Sequence, residues 1–278
     1  MGEVKGRVLI IAGSDSGGGA GIQGDIKTVT CLGGYAATAI TALTAQNTQG
    51  VFGIHDVPED FIRQQMMLVL EDIGADAFKT GMLHKAGVIK TVAEVIADYP
   101  SIPLILDPVM IAKGGAALLE PEAIVALKER LIPLAAVITP NIPEAEQLSG
   151  IRIQGVDDMK RAAERILAFG CKAVLIKGGH LEGDMITDLL LDASGQSRTY
   201  TQPRLHTRHT HGTGCALASA IATGQAQGMT LADAVRRAQD YVRMAIENAP
   251  GLGKGHGPLG HGHTVRVLQS PTPQAAAD

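Results

Sequence analysis

Tryptophan is absent from this 278-residue chain, and aromatic residues make up only 3% of it. Stacking platforms for unpaired bases are scarce, so a single-stranded nucleic-acid surface is not expected. Neither sign of charge dominates. The 24 Lys and Arg stand against 28 Asp and Glu, a formal net charge of −4. That gives no electrostatic reason for a nucleic-acid or anionic-membrane partner. Cysteines are few: Cys31, Cys171 and Cys215 lie far apart, with no CxxC. An odd, scattered set argues against a disulfide framework. No apolar run approaches the ~20 residues of a membrane span. The N-terminal run Val8–Gly13 is too short for a signal-peptide core. A reducing, cytoplasmic location is expected. No G-x-x-x-x-G-K-[ST] phosphate loop occurs either.

What the chain does have is 45% hydrophobic residues and 34 glycines. Short apolar runs read as strands at Val8–Gly13, Ala36–Thr41, Asp76–Gly81, Pro103–Pro108, Ala136–Asn141 and Ala173–Gly179. Between them, helical spacing marks Asp60–Ile73 and Val88–Tyr99. Strand–helix alternation with non-alternating apolar strands predicts βαβ units and a buried parallel sheet, an α/β fold. Later, Met185–Thr201 reads as a hairpin turning at Ala193–Gln196, followed by helices Gly214–Gln227 and Leu231–Asn248. With no linker and no repeat, residues 1–278 are expected to form one domain, its tail frayed from about residue 265.

Ligands of open parallel sheets bind beyond the carboxyl ends of the strands. Polar and Gly-rich sequence follows six of these strands: GSDSGGGAG, ALTAQNT, KTGML, DPVM, TPNIPE and KGGH. Gly19–Gly24 matches G-x-G-x-x-G, the dinucleotide fingerprint, but no Asp or Glu lies between Asp25 and Asp56 to hold a ribose. A tight turn, or a loop lying over a small ligand, reads the same glycines equally well.

In THGTGCALASAIA, two glycines, Thr213 and Cys215 open a helix. Unpaired N–H groups there can cradle an anion, so Gly212, Thr213, Gly214 and Cys215 read as a phosphate cradle or as a plain helix start. Asp107, Asn141 and Glu144 offer oxygen ligands of the kind Mg²⁺ prefers, or else a turn and a helix cap. Lys177 ends a strand where its ammonium can meet phosphates. His206, His209, His211, His256, His261 and His263 suit no standard zinc spacing.

Together these motifs, with ITALTAQNTQGV, ITPNIPEAEQLSG, VLIKGGH and GKGHGPLGH, resemble the hydroxymethylpyrimidine and phosphomethylpyrimidine kinases of thiamine biosynthesis, in the ribokinase-like superfamily. The resemblance runs from about Val8 to His261. It implies a three-layer α/β/α sandwich, use of ATP and Mg²⁺, and two successive phosphorylations of a hydroxymethylpyrimidine. It places Gln46 on the pyrimidine edge, with Gly13, Asp25, Met82 and Val109 lining the pocket. It sets Lys177, Asp107 and Thr210 at ATP, and Asn141, Glu144 and Asp107 near the metal. Gly212–Cys215 become the anion hole, and Cys215 takes the place of the superfamily's usual Asp base. A thiol at a helix N-terminus can have a lowered pKa. A homodimer is implied. A pyridoxal kinase, a non-catalytic pyrimidine sensor and a dinucleotide oxidoreductase stand as rival readings.

Overall fold

A computed structural model describes residues 5–111 and 118–265. The expected frayed tail, from residue 266 onward, lies outside the described residues. Nine strands form one sheet: β1 (Arg7–Asp15), β2 (Tyr35–Asn47), β3 (Gly50–Asp56), β4 (Ala77–Thr80), β5 (Leu104–Leu106), β6 (Ala135–Ile138), β7 (Ala173–Ile176), β8 (Met185–Asp192) and β9 (Ser197–Pro203). Their spatial order is β3-β2-β1-β4-β5-β6-β7-β8-β9. The six strands from β2 to β7 in that order pair parallel, while β3, β8 and β9 run antiparallel at the edges.

Among the described residues, eight α-helices cover the sheet: α1 (Gly21–Cys31), α2 (Glu59–Asp72), α3 (Ala86–Ala97), α4 (Pro121–Ala126), α5 (Ile142–Ser149), α6 (Val156–Leu167), α7 (Thr213–Ala226) and α8 (Leu231–Glu247). Side chains of a strand alternate between faces. In β1, Leu9 and Ile11 join one apolar core, under α2 to α6. Val8, Ile10 and Ala12 join a second, under α1, α7 and α8. Two cores, one on each face, make the three-layer α/β/α sandwich. Ala216 to Gly224 of α7 are all buried, as expected for a helix that is apolar on every side. At Gly224 an added methyl would come 2.7 Å from the Ala234 side chain, so the glycine lets α7 and α8 cross closely.

The hairpin and both late helices lie where the sequence predicts them. The stretch ALTAQNT does not. The sequence ends this strand at Thr41, yet β2 runs on through Asn47 and returns as β3. Small and polar residues there carry little strand signal, and the extended hairpin is set by pairing at the sheet edge instead. Among the described residues, no helix is long and apolar enough to cross a membrane.

Candidate active site

The strand ends converge on one cavity of about 890 Å³. Gly13, Gln46, Met82 and Val109 line one part of it; Asp107, Asn141, Glu144, Lys177, Thr210 and residues Gly212 to Cys215 line another. Residues from seven separate segments therefore face a single space, as the sequence reading requires. Asp25 is the exception. It is fully buried, 2.7 Å from the equally buried Lys79 ammonium and accepting from Ser219 Oγ at 2.7 Å. Its carboxylate does not reach the cavity because Lys79 stands in between as a lining residue. Burial works against the charge on Lys79, but Asp25 together with Cys215 and Asp107 overcomes it and holds the ammonium protonated.

Gly13 sits at an irregularity in the β1–β2 pairing, with Met82 Sδ 3.2 Å from where a side chain would begin. The loop that follows is organised by Asp15. Its carboxylate accepts from the backbone N–H of Gly17 at 2.8 Å, Gly19 at 3.1 Å and Ala20 at 2.9 Å. The Gly19 and Ala20 donors that open the G-x-G-x-x-G match are thus spent on Asp15 and are not offered to a pyrophosphate. Asp15 also pairs with His211 Nε2 at 2.8 Å. Burial would raise the Asp15 pKa, but His211 and the loop N–H groups together hold it below the ordinary value.

The helix start lies opposite. Gly212 has φ of +88°, and a methyl there would come 1.9 Å from the Gly19 carbonyl oxygen. Glycine is required on both counts. Thr213 Oγ1 donates to the Thr210 carbonyl at 3.1 Å, closing the turn. Gly214 is helical and faces Lys177, whose Nζ is 3.3 Å from the glycine's missing methyl. The positive φ of this turn is at Gly212, not at Gly214. Cys215 corrects a second expectation. Burial dominates over the pull of Lys79 and pushes its thiol up to about 12, so no thiolate forms near neutrality.

Lys177 Nζ reaches Asp107 Oδ1 at 3.1 Å. Burial opposes the Lys177 charge, and Asp107 and Glu144 overcome it, raising its pKa. Asn141 and Glu144 form a reciprocal cap on α5: Glu144 N–H donates to Asn141 Oδ1 at 2.9 Å, and Asn141 N–H to Glu144 Oε2 at 2.8 Å. The Asn141 oxygen is thus engaged in positioning Glu144. Burial raises the Glu144 pKa to about 7, with Lys177 pulling it down and Asp107 pushing it up. Glu144 Oε1 receives only a long 3.5 Å contact from Met110 N–H. Asp107 and Glu144 suit a cation that takes one or two carboxylates and completes its shell with water and phosphate oxygens, as Mg²⁺ does. Among the described residues, no three His, Cys, Asp or Glu side chains gather as a closed metal site.

Sequence reasoning missed Asp15, Thr44 and Lys79, and weighed His211 only as a metal ligand. An Asp inside GSDSGGGAG and a Lys inside a buried strand were the available signals.

The phosphomethylpyrimidine kinase family model matches residues 15–260. A hydroxymethylpyrimidine/phosphomethylpyrimidine kinase of Bacillus subtilis is 51% identical, over 92% of this chain and 94% of its own length. A thiamine biosynthesis bifunctional protein of Geobacter sulfurreducens is also 51% identical, and this chain spans 52% of it. Among solved structures, the ADP complex of Bacillus subtilis pyridoxal kinase superposes with a TM-score of 0.86 at 37% identity, covering 93% of this chain and 98% of that one.

Proposed function

The chain belongs to the phosphomethylpyrimidine kinase family, and from that premise we propose that it phosphorylates a hydroxymethylpyrimidine with ATP and then phosphorylates the monophosphate, for thiamine biosynthesis. The observation that carries this reading is the meeting of two unlike surfaces in one cavity. A glycine-rich helix start beside Lys177 suits phosphate; a small pocket with one amide, Gln46, suits a flat polar ring.

Phosphoryl transfer asks the protein mainly for positioning and charge stabilisation. The N–H groups at the start of α7 face the transferring oxygens, and the helix dipole adds partial positive charge. Lys177, kept protonated by Asp107, adds a full charge at the same place. Asp107 and Glu144 would hold Mg²⁺, which neutralises phosphate charge when bound. Asn141 supports Glu144, and Thr210 braces the turn through Thr213. Gln46 hydrogen-bonds the ring, Met82 and Val109 flank it, and Gly13 leaves it room. Asp25 acts through Lys79 rather than on the ring. Cys215 stays a thiol, so its part is contact and shape.

We further propose one domain, a cytoplasmic location and a homodimer. Edge strand β3 and its neighbour β2 expose Phe52 and Leu43, an apolar surface that a second copy would cover. Pyridoxal is the second reading, favoured by the likeness to the pyridoxal kinase structure. ATP consumption measured side by side with the pyrimidine alcohol, its monophosphate and pyridoxal tests both. Efficient turnover of the two pyrimidines is expected; turnover of pyridoxal alone would replace the reading.

A further inference from the structure

Four side chains meet between the glycine loop and the helix start: Asp15, Thr44, Gln46 and His211. Their hydrogens can be counted. Asp15 already accepts from three backbone N–H groups, so it is the acceptor toward His211. The hydrogen in the 2.8 Å contact therefore sits on His211 Nε2. Thr44 has one hydroxyl hydrogen, and it goes to the Ser14 carbonyl at 2.8 Å. Gln46 lies between these two groups. Its Nε2 is 3.5 Å from His211 Nε2, and its Oε1 is 3.1 Å from Thr44 Oγ1. So oriented, an N–H faces an N–H and a lone pair faces a lone pair. Rotating the terminal amide by half a turn cures both mismatches at once, and the two ends of an amide are alike in shape.

We infer that the Gln46 amide points Oε1 toward His211 and Nε2 toward Thr44, and that Thr44 is thereby a positioning residue that sets ring specificity. The hydrogen bonds then run in one consistent direction. Thr44 donates to Ser14, Gln46 donates to Thr44, and His211 Nε2–H is shared between Gln46 Oε1 and Asp15. The Gln46 backbone is fixed as well: its N–H donates to Ser16 Oγ at 2.9 Å, and its carbonyl accepts from that hydroxyl at 2.8 Å. Neither the backbone nor the amide is free to adapt.

One N–H and one lone pair of the amide remain for a ligand. A ring edge with an acceptor nitrogen beside an exocyclic amine takes both, in the manner in which glutamine reads adenine. A ring nitrogen flanked only by carbon takes one. A fixed amide thus favours an aminopyrimidine over a pyridine. This consequence rests on the proposed pyrimidine kinase activity; the amide orientation does not.

Neutron diffraction distinguishes nitrogen from oxygen and tests the orientation directly. Nitrogen facing Thr44 is expected, and nitrogen facing His211 would overturn the inference. Kinetics test the specificity. Thr44→Val removes the acceptor and should raise KM for the pyrimidine alcohol roughly three- to tenfold. Its kcat and the KM for pyridoxal should change little, and Thr44→Ser should restore the wild-type values. An equal rise in KM for both rings, or a fall in kcat alone, would overturn the specificity role. If the wild-type protein turns over neither ring, the proposed activity fails, and the neutron map still decides the orientation.

Discussion

Lys177 Nζ lies 3.1 Å from Asp107 Oδ1, across the strand ends of β7 and β5, with both groups largely shielded from water. One ammonium thus compensates two carboxylates, since Glu144 also acts on it. Lys177→Ala removes the ammonium paired with Asp107 and the charge offered to phosphate. We expect kcat to fall by about 10²–10³-fold, the scale of losing one preorganised charge-stabilising group. Binding of the pyrimidine alcohol, measured by calorimetry, should change far less. Equal losses in binding and turnover would remove Lys177 from the phosphate end of the cavity.

Glu144 carries a signature that a purely structural cap would lack. Its pKa is raised from 4.5 to about 7 in the folded chain. The native state therefore binds a proton more tightly than the unfolded one. Its ionisation costs stability as pH rises through that window, and the cost is complete above pH 7. Glu144→Gln keeps the cap geometry, because glutamine also serves at this position. The variant should be more stable than wild type by about 1–3 kcal/mol at pH 8 and nearly equal at pH 5, by urea unfolding. Its kcat should nevertheless drop, with a weaker response to added Mg²⁺. A variant with unchanged rate and unchanged Mg²⁺ dependence would refute the metal assignment.

Gln46→Leu should raise KM for the pyrimidine about ten- to a hundredfold, the cost of leaving a ring's polar edge without its partner. KM for ATP should hold nearly constant, because the phosphate end is built from other segments. Steady-state kinetics with each substrate varied in turn give both numbers. An unmoved pyrimidine KM would mean that the ring binds elsewhere in the cavity.

The fold was legible where the chain is apolar and periodic. Val8–Gly13 and Ala173–Gly179 read as buried strands, and in α2 the helical spacing put Ile62 and Met66 in the core, with Val69 and Leu70 against it, while Phe61 of the same pattern stays exposed. It was illegible at β3, where Gly50 and Gly53 interrupt the short apolar set Val51, Phe52 and Ile54 and pairing with β2 decides. The site followed the same rule. Residues that touch ligands sit at strand ends, so Gln46, Asp107, Lys177 and Gly212 could be found by position. Residues that act through others could not. Asp15 in a glycine loop looks like a turn former until its three backbone N–H partners are seen. Lys79 looks like a strand residue until its pairing with Asp25 closes the floor of the cavity. Cys215 shows the opposite error. Its place at a helix start suggested an activated thiol, but burial outweighs the pull of Lys79 and the Gly21 N–H.

That balance makes the helix start testable in two independent ways. Cys215 has its pKa pushed up to about 12, so a base working at neutral pH is not what this thiol provides. Cys215→Ser keeps nearly the same size and leaves the backbone cradle intact. It should retain kcat within about tenfold, well short of the ~10²–10⁴-fold loss that follows removal of a general base. The pH–rate profile should be unchanged in shape. A collapse of activity in the serine enzyme, recovered in part by Cys215→Asp, would restore the base role. The cradle itself is tested at the two glycines. Gly212→Ala must accept a positive φ and a methyl 1.9 Å from the Gly19 carbonyl oxygen. It should unfold at lower urea concentration and lose activity together. Gly214→Val is different, because Gly214 is helical and its neighbours there are side-chain ends, Lys177 Nζ at 3.3 Å and Asp107 Oδ2 at 3.9 Å. The valine enzyme should stay folded by circular dichroism, bind the pyrimidine alcohol, and be nearly inactive because its side chain occupies the place of the transferring phosphate. Near-normal phosphoryl transfer by a folded Gly214→Val enzyme would leave the start of α7 as a plain helix terminus.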